Sequence, residues 1–134
     1  MGLAENLIGL GMPAEHAAAL STLTVSSAPS LTAAGGLTAT GTTIADALQL
    51  TTFVNRISTT AASTGVKLPD APVGSIVFVQ NNGANALNLF PVNASGTLNN
   101  GSAGAAVTIA TSAANICVRE NAANWLVYVL AKES

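Results

Sequence analysis

GSIVFVQNNGANALNLFPVNASG, residues 74 to 96, carries the reading of the fold class. Ser75 to Gln80 is a run of strand length, rich in β-branched side chains and bounded by Gly74 and an Asn/Gly cluster. Apolar residues at consecutive rather than alternate positions predict a strand buried on both faces. Asn82-Gly83 suits two turn residues at positive φ, so the spacing predicts a hairpin. Residues 86–92, ALNLFPV, then answer as the partner strand, with Leu87 and Leu89 on one face and Asn88 and Phe90 on the other. The stretch has no acid, base, His or Cys, and its composition serves folding and packing.

The same grammar recurs on both sides. In IADALQLTTFVNRIST, residues 44–59, Phe53, Asn55 and Ile57 share one face and Val54 and Arg56 the other. GVKLPD (65–70) is a short extended piece, DAPVG (70–74) a turn, and AAVTIA (105–110) a strand. ANICVREN (114–121) alternates, with Ile116 and Val118 on one face and Cys117 and Arg119 on the other. WLVYVLA (125–131) is the last strand. The expected inward set is Val77, Val79, Ile116, Val118, Val127 and Val129, with Phe78, Leu87 and Leu89 largely buried. Short strands about every 8–12 residues, separated by Gly and Asn turns, indicate a mainly β chain built as a β-sandwich or jelly roll.

Upstream the character changes. Leu3, Leu7 and Leu10 fall at i, i+4 and i+7 and predict a short amphipathic helix, with Met12 beside the same stripe. Gly11 is a natural stop, and Pro13 restarts a second, Ala-rich helix through AEHAAAL. Residues 21–43 are Thr, Ser, Ala and Gly with scattered Leu, the composition of a linker. The chain is therefore read as an N-terminal helical arm (1–20), a linker and first strand region (21–43) and a β-sandwich domain (44–134). The arm is the expected partner-binding element, through Leu3, Leu7, Leu10 and Met12, because a helix this short needs a surface to cover.

Composition narrows the partners. Charged residues are 7% of the 134, against about 25% in typical soluble domains. A net charge of −2 gives no electrostatic draw toward nucleic acid or an anionic membrane. The apolar runs are too short and too interrupted for a membrane span. No basic n-region follows Met1, so no secretory leader is expected. A surface made of Ala, Thr, Ser, Asn and Gly is expected to be hidden in an assembly, here a homotrimer.

Catalytic chemistry finds little material. The carboxylates are Glu5, Glu15, Asp46, Asp70, Glu120 and Glu133, scattered along the chain, and only Asp70 and Glu120 are candidates to converge. His16 lies in the arm and Cys117 in a strand, without a second metal ligand or a triad partner nearby in sequence. No enzymatic activity, metal or cofactor is expected. Trp125 and Tyr128, with the loop amides, leave a carbohydrate-binding alternative open. Asn93-Ala94-Ser95 and Asn100-Gly101-Ser102 match glycosylation acceptors but carry little meaning without a leader.

Residues 66 to 130 also carry a resemblance. Leu68-Pro69, Gly74, Gly83-Ala84-Asn85-Ala86-Leu87, Pro91, Gly96, Asn99 and Trp125, preceded by GLGMPAEHAAAL, resemble the pattern of small tailed-phage virion proteins of the capsid decoration (cement) or head-fibre type. These are mostly turn and core residues. The resemblance implies a β-sandwich or jelly-roll domain that trimerises on the virion. The expected function is a decoration protein, made in the host cytoplasm, that binds the major capsid protein or another virion protein and stabilises the assembled head. A fibre or spike module binding host-surface carbohydrate is the alternative.

Overall fold

A computed structural model describes residues 32–130. The expected helical arm, with Leu3, Leu7, Leu10 and Met12, lies outside the described residues.

The described chain is mainly β, with ten strands in two sheets. The larger sheet holds, in spatial order, β1 (Ala33–Thr38), β3 (Val54–Thr59), β5 (Ile76–Asn81), β9 (Ala114–Arg119), β10 (Asn124–Leu130) and β7 (Thr97–Leu98). The smaller holds β2 (Leu48–Gln49), β4 (Gly65–Lys67), β6 (Leu87–Phe90) and β8 (Val107–Ile109). From β1 to β6 the chain steps between the sheets at every strand. Successive visits to one sheet pair in parallel, β1 with β3 and β3 with β5, β2 with β4 and β4 with β6. The result is a wound, solenoid-like stack. The later strands close it by antiparallel pairing of β8 on β6, β9 on β5 and β10 on β9.

This connectivity differs from the hairpin-linked sandwich or jelly roll read from the sequence. The expected hairpin does not form, because β5 and β6 lie in different sheets. Asn82 and Gly83 are not among the positive-φ residues, so no two-residue hairpin turn is made there. Gly83 is required by close approach instead. A Cβ on it would lie 2.2 Å from Thr60 Oγ1 and 2.7 Å from the Thr60 backbone nitrogen. Residues 81–86 are a corner laid directly on the corner of the preceding rung.

That corner is held by polar side chains. Asn81, fully buried, donates from Nδ2 to the carbonyls of Asn85 (2.8 Å) and Ile109 (3.1 Å), and its Oδ1 accepts from the Gly83 N–H at 3.0 Å. Asn85 donates from Nδ2 to the Thr60 carbonyl at 2.8 Å, and its backbone N–H and carbonyl both engage the Thr60 hydroxyl. The Thr111 hydroxyl donates to the Gly83 carbonyl.

Both sheets line one core. Ile57, Val77, Val79, Cys117, Trp125 and Val127 of the larger face Val66, Leu87, Leu89 and Ile109 of the smaller, with Leu50 and Leu68 from the connections. Val77, Val79, Val127, Leu87 and Leu89 are buried as expected. Strand β9 has the opposite phase to the one expected. Asn115 and Cys117 point inward, while Ile116 and Val118 lie half-buried on the outer face. Pairing explains it: Cys117 stands opposite both Val77 and Val127, and directly opposed residues share a face. Val129 is exposed, and Phe78 is half-buried on the outer face.

Two outcomes check this packing. Val79→Ala should lower stability by about 2–4 kcal/mol, whereas Ile116→Ala should cost under about 1.5 kcal/mol, because only the first leaves a core cavity. Gly83→Ala should cost about 3 kcal/mol, the upper part of the range for overpacking against backbone. Urea unfolding of each variant measures both.

Candidate interaction surface

Among the described residues, the acids and the thiol are committed to structure. Asp46 accepts from the Thr43 hydroxyl (2.7 Å) and the Thr43 backbone N–H (2.8 Å). Those bonds, the hydroxyl first, hold its carboxyl below the usual range. Asp70 pairs with Arg119 at 2.8 Å. The Arg119 guanidinium also donates to the carbonyls of Ala71 and Ala122 and lies 6.0 Å from the centre of the Trp125 ring. Glu120 accepts from Asn124 Nδ2 at 2.7 Å. The two acids with a prospect of converging thus have separate partners, and both brace the turns at one end of the stack. Among the described residues no cluster of three metal-ligating side chains occurs, and no helix is long and apolar enough to cross a membrane.

Trp125 is 1% exposed and belongs to the core, so it offers no ring face for stacking a sugar. The neighbouring cleft of about 150 Å³, bordered by Asn93, Ser95 and Arg119, runs beside this buried ring. Burial also pushes the Cys117 thiol up to about 12, because a thiolate would sit among aliphatic side chains.

The outward face of the larger sheet is different. Val54, Phe78, Ile116 and Tyr128 stand opposite one another on four adjacent strands, β3, β5, β9 and β10, and form one continuous row. Ile76, Val118 and Leu126 form a second row beside it. Arg56 and Gln80, paired across β3 and β5, border the first row on its other side. Both rows are free of charge. Tyr128 is 55% exposed and Ile76 45%. Phe53, Val54, Ile76, Phe78 and Ile116 enclose an apolar cleft of about 280 Å³ on this face.

These residues were legible as strand residues but not as a surface. The signal was there: Val54, Phe78 and Ile116 share a parity with Arg56 and Gln80, while Asn55, Asn81 and Asn115 have the opposite one. Polarity alone would have turned the Asn set outward. Leu3, Leu7, Leu10 and Met12, expected to bind the partner, lie outside the described residues. Comparison with family models, curated proteins and solved structures finds no match.

The thiol gives a direct check of the phase of β9, since Cys117 is buried in the core. Native protein at pH 8 should leave Cys117 unmodified by a thiol reagent that labels it fully in urea. The raised pKa also sets a sign. The unfolded thiol ionises from about pH 9 upward while the folded one stays protonated to about pH 12. Stability from this group is complete below pH 9 and declines between these values, and Cys117→Ala should abolish that part of the decline.

Proposed function

We propose that the protein is a structural component of a tailed-phage virion, a capsid decoration protein that binds the assembled head as a homotrimer. The observation that carries this reading is the uncharged apolar outer face of the larger sheet. A chain with 7% charged residues presents two apolar rows outward, which is the surface of a protein that works in an assembly. The resemblance over residues 66 to 130 supports the virion setting. Among the described residues, Asp46, Asp70, Glu120 and Cys117 support a structural role, since they serve turns, an ion pair and the core. The two-layered β unit, sandwich-like in its single shared core, supplies a rigid body.

A decoration protein stabilises a shell by mass action, since it binds the assembled form and not its separate subunits. The residue 1–20 arm, through Leu3, Leu7, Leu10 and Met12, is assigned the contact to the major capsid protein or another virion protein. Three arms per trimer multiply the effective affinity.

Two measurements test this. Light scattering coupled to gel filtration at about 100 µM should give the mass of three chains, and a monomer would remove the trimer from the reading. Co-sedimentation should show the full chain bound to purified phage heads. A chain starting at Ser30 should remain folded and trimeric yet lose head binding. Equal binding by the shortened chain would move the attachment to the β unit.

A further inference from the structure

We propose that the outer face of the larger sheet is a self-association surface, in which Tyr128 of one copy seats in the apolar cleft of a second copy. The inference deepens the reading above by naming the surface, and it rests on that reading only for the number of copies.

The occupant is argued from shape and charge. One face carries both a projecting aromatic and an apolar recess. Tyr128 lies opposite Ile116 in the β9–β10 register, and Ile116 forms one wall of the cleft whose other walls are Phe53, Val54, Ile76 and Phe78. A projection and a recess on the same face are what self-complementary association needs, in either a two-fold or a closed cyclic arrangement. An aromatic anchor filling an apolar pocket is also the usual core of a binding hot spot.

Charge points the same way. The apolar rows hold no ionic group that would select an oppositely charged partner. Copies of a chain with net charge −2 repel one another only weakly. Arg56, at the border of the face, is exposed and can stay in water at the rim of such a contact.

Tyr128 is the single tyrosine of the chain, so nitration by tetranitromethane, read by mass spectrometry, reports on this face in the unmodified full-length protein. The nitration rate should fall about tenfold or more as protein concentration rises from about 1 to about 100 µM, in step with the mass measured by light scattering. Tyr128→Asp should sediment as a monomer with an unchanged far-ultraviolet spectrum, while Tyr128→Phe should associate like the parent. If Tyr128→Asp fails to fold, the concentration dependence of nitration in the parent decides alone. A parent that associates while Tyr128 remains equally reactive would overturn the proposal and leave the trimer standing on another surface. A parent that stays monomeric throughout would remove the trimer and this surface together. Protection at every dilution that is lost on deleting residues 1–31 would assign the cleft to the chain's own N-terminal segment. Protection that arises only with phosphatidylcholine vesicles would assign it to lipid. Either result overturns the proposal.

Discussion

The fold depends on the amide side chain of Asn81. It sits fully buried at the end of β5, where the chain leaves the larger sheet, and satisfies three backbone groups, two in its own corner and one at the end of β8. A wound stack of short parallel strands has no hairpins to fix its register. Each passage between sheets exposes peptide groups that no ladder can pair, and such groups are costly when buried. Asn suits the position because one amide both donates and accepts. Removing it would leave the Gly83 N–H without this acceptor and take one donor from the Ile109 carbonyl. Gly83 belongs to the same constraint, since its lack of a side chain lets the corner come within contact of Thr60.

The device recurs at other connections. Asn99 Oδ1 accepts from the Val127 N–H at 2.7 Å, and Asn124 Oδ1 accepts from the Thr97 hydroxyl and the Asn100 N–H, both at 2.9 Å. Asn93 and Asn121 fold their amides back over their own turns. The abundance of Asn in a nearly uncharged chain therefore has a structural cause: it supplies the backbone partners that a stack of two- to seven-residue strands lacks. Among the buried asparagines of the described residues Asn115 is the exception, since both of its side-chain polar atoms lack a hydrogen-bond partner.

Much of the β reading was legible and its topology was not. Ser75 to Gln80 announced a strand by its apolar run, and β5 occupies that place with Val77 and Val79 buried. The parity of Asn55 and Ile57 was also readable, because Arg56 between them is exposed. Asn82-Gly83 misled because the same dipeptide that favours positive φ also favours close backbone approach, and local sequence cannot tell which is required. Strand β9 misled for a related reason. Ile116 and Val118 alternate with Asn115 and Cys117, both sets can be buried, and only pairing with Val77 and Val127 decides between them. Part of the outer face followed the same ambiguity, since the pattern of Ile116, Val118 and Phe78 reads equally well as core.

That ambiguity bears on why the face exists. A one-residue slip of β9 against β5 would turn Ile116 and Val118 into the core and bring Asn115 out to water. Judged on side-chain polarity alone, the slipped register would be the better monomer. The Asn81 amide opposes the slip because it is bonded to Ile109, before β9, and to Gly83, after β5, while the Asn81 N–H donates to the Ala113 carbonyl at 2.9 Å. Sliding β9 would break the Ala113 bond and strain the chain between residues 109 and 114. The aliphatic rows are thus held outward by a specific polar network, against their own preference for burial. A sheet face kept apolar in this way lowers its free energy by meeting another surface, so the corner that sets the register also leaves this face open to the contact proposed above.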